Sequence, residues 1–389
     1  MRSAAGVSIS GGIYRPLIVG TGSGPEGSRP TVNAWRPQGC GAEKECIRDA
    51  ECVLPTDNMS HLLLFRGFFM AKVTIIGATG QVGSYAAHAV SQFPHVQEMC
   101  LYGRPGNEQY LDGLAHDMMD SFAARGTNTR VTFGTHPKEL RGSDIIVLTS
   151  GVPRKPNQNR LDLAMENARI VKHYAEQVGR MAPDSILLVV TNPVDIMTTV
   201  ALKYSGMMPH RVFGLGTHLD SMRLKACLAE FFNVHVSEVH TRIIGEHGDT
   251  MVPLWSATTV GGIQIDNMRG IAALPRDEMI EQVKNSGSYI IRSRGATVYG
   301  PGDAIATLIR TIVEDENRML TVSTQIRREI FGHEGVCISV PTRMTRGGVF
   351  PIGVRMSDTE VAQFAESVKV IKKLTEEVCA FLDTEGKSA

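Results

Sequence analysis

The sequence predicts an α/β protein: a doubly wound parallel sheet in its first half and an α+β arrangement in its second. Three observations carry that prediction. From residue 71 onward, short β-branched apolar runs alternate with helix-length segments, the pattern of a parallel sheet covered on both faces. The first run ends in a glycine-rich turn that opens a helix. After residue 216 the alternation gives way to a mixture of strands and helices.

In chain order, strands are expected over 72–76, 98–102, 130–133, 145–149, 185–190 and 211–213. Helices over 81–92, 108–124, 161–181 and 194–204 separate them. The second half opens with a helix over 218–232, followed by strand-like segments at 238–244 and 254–265 and helices at 275–294 and 302–314. Strands at 320–326, 336–340 and 349–355 follow, the last after the turn at Gly347-Gly348. The final helix starts at Ser357-Asp358-Thr359-Glu360, a capping box. Val361, Phe364, Val368, Ile371, Leu374, Val378 and Phe381 then recur at three- and four-residue steps and give it one apolar face. The expected division is a dinucleotide-binding domain over 70–213 and a substrate domain over 214–389.

Composition narrows the class of partner. The chain has 389 residues, 42% hydrophobic and 21% charged, enough for two sizeable cores. Forty basic residues balance forty acidic ones, so no excess charge recommends nucleic acid or an anionic membrane. The longest apolar runs, such as 186–190, are strand-sized and too short to span a bilayer. Seven cysteines without a C-x-x-C pair suit reduced thiols in the cytoplasm. Residues 1–69 differ: they are rich in Gly, Ser, Pro and Arg and lack periodicity. A targeting peptide carrying Arg2 and Arg15, or a metal module built on Cys40, Cys46 and Cys52, are alternatives. The expectation is a disordered or non-native extension ahead of Met70.

The first strand runs into Gly77-Ala78-Thr79-Gly80-Gln81-Val82-Gly83. Glycines there allow a tight turn, close approach of backbone N–H groups to a pyrophosphate, and tight helix–strand packing, as in dinucleotide-binding (Rossmann) domains. The spacing is G-x-x-G-x-x-G, not the more usual G-x-G-x-x-G, while glycine turns also occur without a ligand. About twenty residues on, an NAD site normally carries an acid for the ribose hydroxyls. Here the second strand ends Tyr102-Gly103-Arg104, with no acid to repel a 2′-phosphate and a guanidinium to meet one. NADP is therefore the expected preference, with NAD accepted and Thr79 available as a further hydroxyl. A merely solvent-facing Arg104 is the alternative.

Leu219-Asp220-Ser221-Met222-Arg223 and Ile244-Gly245-Glu246-His247-Gly248-Asp249 carry the chemistry. Asp220 and Arg223 share a helix face and can enter one pocket. A carboxylate can hold one nitrogen of His247 and leave the other to exchange a proton with a substrate hydroxyl, while an arginine grips a carboxylate in bidentate fashion. That is equipment for oxidising a 2-hydroxy acid. After the fourth strand, Pro153-Arg154-Lys155-Pro156-Asn157-Gln158-Asn159-Arg160 suggests a loop that closes over substrate. Val190-Thr191-Asn192-Pro193 ends the fifth strand at the carboxyl edge, where ligands bind.

From residue 70 to the last helix these motifs closely resemble the lactate/malate dehydrogenase superfamily, most of all its archaeal malate-type members with dual or NADP-leaning cofactor use. The resemblance implies that His247 exchanges the proton, Asp220 orients it, Arg160 polarises the carbonyl oxygen and Arg223 clamps the C1 carboxylate. It also implies that Asn192 binds substrate and lies on the nicotinamide side with Val190 and Thr191. Asn167 would lie near the cofactor, and Thr297, after Gly295, would line the pocket. Arg154 would occupy the position that selects a dicarboxylate. Asn157 departs from the glycine common in related loops. The expected activity is reversible oxidation of L-malate by NAD(P), without a metal, in a homodimer or homotetramer. A lactate or broader 2-hydroxy acid dehydrogenase is the nearer alternative. An NAD-dependent glycosidase and a redox sensor without turnover are the more distant ones.

Overall fold

Strands that are apolar on both faces need a helix layer on each side. The computed structural model describes residues 70–153 and 160–385, with Arg160 described by its main chain. The expected extension over 1–69 and the loop positions Arg154 and Asn157 lie outside the described residues.

The first half comprises β1 (Ala71–Ile76), α1 (Gln81–Val90), β2 (Val96–Tyr102), α2 (Glu108–Arg125), β3 (Arg130–Gly134), β4 (Ile145–Leu148), α3 (Arg160–Met181), β5 (Ile186–Val189), α4 (Val194–Ser205) and β6 (Val212–Gly214). These strands pair in the order β3-β2-β1-β4-β5-β6, all parallel. The order reverses between β1 and β4, which opens a crevice at the strands' carboxyl ends. Successive side chains alternate between the helix layers. Val73, Ile145, Val147 and Leu188 pack with α1 and α2, while Ile76, Ile146, Leu148 and Leu187 pack with α3 and α4.

The second half comprises α5 (His218–Phe232), β7 (Val239–His240), β8 (Ile243–Ile244), β9 (Val252–Pro253), β10 (Thr259–Val260), β11 (Ile263–Gln264), α6 (Arg276–Arg294), α7 (Tyr299–Val313), β12 (Met319–Gln325), α8 (Arg328–Phe331), β13 (Cys337–Thr345), β14 (Gly348–Pro351) and α9 (Asp358–Glu385). Its last three strands do not form a separate sheet. β12 lies antiparallel to β6 through Ser323 and Gly214, and β13 and β14 continue outward to give nine strands. The parallel sheet would otherwise leave β6 as an open edge, and β12 covers it. α7 joins the α1 layer, and α9 joins the α3 layer. A third cluster, with Leu224, Leu228, Ile243, Ile265 and Val283, lies under α5 and α6.

Two expected strands are broken up. The segments at 238–244 and 254–265 yield only two-residue strands, interrupted by glycine turns at Gly245, Gly261 and Gly262, all at positive φ. The last strand stops at Pro351, short of residue 355. The capping box of α9 forms as its residue types dictate: Ser357 N–H donates to Glu360 Oε2 at 2.8 Å, and Glu360 N–H donates to Ser357 Oγ at 3.3 Å. Val361, expected on the buried face, is 48% exposed because Phe364 is the first of the stripe to reach the core.

The α3–α4 contact supplies a test in which two effects have opposite signs. A Cβ at Gly179 would lie 2.0 Å from the Ser205 carbonyl oxygen at the end of α4. Helix propensity alone favours Gly179→Ala by about 1 kcal/mol, whereas overpacking against fixed backbone costs about 1–3 kcal/mol. Equilibrium denaturation should therefore show Gly179→Ala to be less stable than the parent. A gain in stability would show that the two helices separate freely at this point.

Candidate active site

The carboxyl edge of the sheet gathers the predicted motifs. Between β1 and α1, Gly77 has φ +91° and its N–H donates to Tyr102 O at 2.9 Å. A Cβ on Gly77 would meet Thr149 Oγ1 at 2.7 Å, and one on Gly83 would meet Gly77 O at 2.3 Å. Thr149 Oγ1 donates to Ile76 O at 2.9 Å, which fixes the end of β4 against the turn. Gly80 caps α1 without a side-chain hydrogen bond. The first N–H groups of α1 thus face the crevice edge with no acceptor within their own helix, the arrangement that receives a phosphate. Ala78 is buried, Thr79 and Val82 are half-buried, and Gly80 and Gln81 are exposed. These residues fit a dinucleotide's pyrophosphate.

At the end of β2, Gly103 is buried and its N–H donates to Gly134 O at 3.1 Å. Arg104 follows it, exposed, close enough to Tyr174 to help hold that phenol's pKa down against the larger effect of burial. At β4 and β5, Asn167 is 1% exposed and joins the two strand ends. Its Oδ1 accepts from Val152 N–H at 2.7 Å, and its Nδ2 donates to Val152 O at 3.2 Å and Asn192 O at 2.7 Å. The sequence suggested a residue near the cofactor; the amide's contacts here are with main chain. Val190 is half-buried and Thr191 buried, the latter donating to Ser150 O at 2.7 Å. Asn192, joined to Pro193 by a cis bond, is exposed at the edge.

His247 and Asp220 meet although 27 residues separate them. His247 Nδ1 lies 2.5 Å from Asp220 Oδ2, and Arg223 Nη1 donates to Asp220 Oδ1 at 3.2 Å. The Asp220 side chain is 1% exposed, Arg223 18% and His247 27%. Asp220 sits in the first turn of α5, where the helix dipole favours a carboxylate. Burial acts to raise the Asp220 pKa, but His247 and Arg223 outweigh it and hold the carboxyl below its ordinary range. Burial likewise acts to lower the His247 pKa, and Asp220 reverses that and raises it above 6.5. The pair's stabilisation is therefore greatest between the two ordinary values, 3.8 and 6.5. It is lost below as Asp220 takes a proton, and above as His247 gives one up.

Several elements hold the histidine loop. Gly245 and Ser339 of β13 exchange backbone hydrogen bonds at 2.9 and 3.2 Å. Glu246 N–H donates to Ser367 Oγ of α9 at 2.7 Å. His247 N–H donates to Asp195 Oδ2 of α4 at 2.8 Å. Asp195 was not among the residues singled out from sequence; an acid inside the apolar run Val194-Asp195-Ile196-Met197 was its signal. Thr297 lies half-buried in the connection between α6 and α7, and no hydrogen bond joins it to His247 or Asp220 among the described residues. Arg160 opens α3, and Arg154 lies outside the described residues.

The family description "lactate/malate dehydrogenase, NAD binding domain" matches residues 71–214, and "lactate/malate dehydrogenase, alpha/beta C-terminal domain" matches 217–382. A malate dehydrogenase of Methanothermobacter marburgensis is 46% identical over 321 residues, covering 81% of this chain and 99% of the relative. An L-2-hydroxycarboxylate dehydrogenase (NAD(P)(+)) of Methanocaldococcus jannaschii is 44% identical, covering 79% of this chain and 99% of its own length. The apo structure of malate dehydrogenase from Picrophilus torridus superimposes with a TM-score of 0.74 at 30% identity, covering 81% of this chain and 99% of that one. No helix among the described residues is long and apolar enough to cross a membrane.

Gly83→Ala tests the glycine turn. The new methyl would collide with Gly77 O, which accepts from Gly80 N–H at 3.0 Å and cannot yield without opening the turn. Fluorescence titration should show reduced-dinucleotide affinity falling at least about tenfold, or ~1.4 kcal/mol, in a protein that remains folded. Unchanged affinity would mean that the cofactor does not use this turn.

Proposed function

Because the chain belongs to the lactate/malate dehydrogenase family, we propose that it is a malate dehydrogenase, interconverting L-malate and oxaloacetate with NAD or NADP. The observation that carries the chemistry is His247 bound through Nδ1 to a buried carboxylate, with Arg223 beside it. Nδ1 is engaged by Asp220, so Nε2 is the nitrogen left to face substrate. A bound nicotinamide dinucleotide supplies the hydride acceptor for malate oxidation and the donor for oxaloacetate reduction.

In oxidation, His247 Nε2 takes the C2 hydroxyl proton as C2 loses hydride, and Asp220 stabilises the imidazolium. In reduction, the imidazolium returns the proton to the carbonyl oxygen. Arg223 receives the C1 carboxylate with the guanidinium nitrogen not given to Asp220. Arg160, at the start of α3, polarises the carbonyl oxygen and stabilises its negative charge in the transition state. Asn192 meets substrate from the carboxyl edge of β5, and Thr297 completes the pocket wall. Gly77, Ala78, Thr79, Gly80, Gln81, Val82 and Gly83 would hold the dinucleotide's pyrophosphate, and Val190, Thr191 and Asn192 would receive its nicotinamide end. Asn167 holds the two strand ends that form that pocket.

NADP is the preferred cofactor on this reading, and NAD is also used. A Cβ at Gly103 would lie 2.9 Å from Leu111 Cδ1, so an acid there would have to displace a buried leucine. Arg104 is exposed beside it. The same reading gives a cytoplasmic homodimer or homotetramer with domains over 70–213 and 214–389, residues 1–69 taking no part in the chemistry. A broader 2-hydroxy acid specificity is the second reading, favoured by the Methanocaldococcus jannaschii relative.

Two substitutions test the assignments. Arg154 is proposed to neutralise the second carboxylate of oxaloacetate; with pyruvate its guanidinium would be enclosed unpaired. The parent should prefer oxaloacetate to pyruvate by roughly 10³-fold in kcat/KM, and Arg154→Gln should narrow that ratio mainly through lost oxaloacetate activity. An unchanged ratio removes Arg154 as the selectivity residue. Arg104→Ala should weaken NADPH by about 1.5–3 kcal/mol and leave NADH nearly unaffected. Equal weakening of both would show that Arg104 does not read the 2′-phosphate.

A further inference from the structure

Asp195 is a second carboxylate at His247 that the steps above leave unused. It lies in the first turn of α4, three residues after Asn192, and is 2% exposed. Asp195 Oδ2 accepts from the His247 main-chain N–H at 2.8 Å. Its Oδ1 and the Ser323 hydroxyl of β12 make no hydrogen bond of full geometry among the described residues, although the hydroxyl is close enough to act on the carboxyl. The groups that act on the carboxyl come from three other elements: His247 and Glu246 in the loop after β8, Ser323 in β12 and Cys337 in β13.

Accepting one N–H does not require a charge, since an amide oxygen would serve. A buried carboxylate with one oxygen unfilled costs the fold free energy. The charge therefore calls for a separate explanation, and His247 supplies it. We propose that Asp195 is a positioning residue for proton transfer: it ties the His247 main chain to the helix that follows Asn192 and sets a second negative charge against the imidazolium. This rests on His247 being the group that exchanges the substrate proton. Asp220 holds the ring from α5, while Asp195 holds the main chain from α4, so the histidine is fixed from both halves of the chain.

The titration behaviour supports this. Burial pushes the Asp195 carboxyl up to about 6, opposed by Ser323, the His247 N–H and the His247 charge, and reinforced by Glu246. Above that pH the carboxylate supports the imidazolium, as Asp220 does and as Arg223 opposes. A carboxyl raised in the folded state contributes stability at low pH and loses it as pH rises through the folded value. Near pH 8 the ionised Asp195 thus costs stability while serving the histidine.

Asp195→Asn keeps an oxygen for the His247 N–H, offers an amide N–H toward Ser323 and removes the charge. Its pH profile of kcat/KM for oxaloacetate reduction should be compared with the parent's, alongside thermal unfolding and reduced-cofactor titration. Reduction needs the imidazolium, so its inflection should move about one pH unit lower. Near pH 8 kcat should fall by about tenfold, with KM for oxaloacetate and cofactor affinity nearly unchanged and a Tm no lower than the parent's. Ser323→Ala, which frees Asp195 to take its proton at higher pH, should move the inflection the same way by less and serves if Asp195→Asn does not fold. An unmoved inflection in a folded variant, or a lowered Tm alone, overturns the proposal. Absence of oxaloacetate reduction in the parent overturns the underlying reading and this proposal with it.

Discussion

The contact between His247 Nδ1 and Asp220 Oδ2 is the constraint around which the second half of the chain is arranged. A carboxylate 1% exposed is tolerable only with its charge answered. Removing one member of such a pair costs about 3–5 kcal/mol, because the other is left buried and uncompensated. Both ends of the contact must therefore be held in register. On the Asp220 side, the start of α5 is pinned by Thr217, whose N–H donates to Ser339 Oγ at 3.0 Å and whose hydroxyl donates to Ile243 O. Ser221, one turn on, accepts from Ile243 N–H at 2.9 Å. Gly216 lets this turn approach β13, since a Cβ there would lie 2.4 Å from Ser339 Oγ. Ser339 thus fixes both the helix that carries Asp220 and the loop that carries His247.

The sheet explains why that register is reliable. Ser339 belongs to β13, β13 pairs with β12, and β12 closes the open edge of the parallel sheet at Gly214. Gly214 itself is required there, because a Cβ would meet Thr198 Oγ1 at 2.2 Å. The His247 loop is consequently built on the same nine-stranded sheet whose reversal of strand order opens the crevice. Asn167 performs the matching task on the other side by joining the ends of β4 and β5. The glycine turn and the His247–Asp220 pair are both carried on one continuous hydrogen-bonded frame.

What could be read from sequence follows from the range of the interactions. The glycine turn, the capping box of α9 and the strand–helix alternation are set by neighbours in the chain, so they were legible. His247, Asp220 and Arg223 were legible as residue types because their spacing already implied a shared task. The junction of β12 with β6 was not, since an antiparallel addition to an edge depends on which strand is left open after the others have paired. The two-residue strands β7, β8, β10 and β11 were read as two longer ones, and β9 was not read, because apolar periodicity does not register where glycines bend the chain. Asn167 and Asp195 were hard to place for a common reason. Each is a buried polar residue whose partners are main-chain atoms, and a backbone N–H leaves no signature in a sequence.

Asp220 governing the protonation of His247 is the central claim, and it is open to direct measurement. The imidazole of His247 should be titrated by NMR in the parent and in Asp220→Asn, without substrate. The parent should titrate above 6.5, because the carboxylate outweighs burial. The variant should titrate clearly lower, because burial and Arg223 then act against less opposition. The same value in both proteins would contradict the account and leave the 2.5 Å contact without a role in proton transfer.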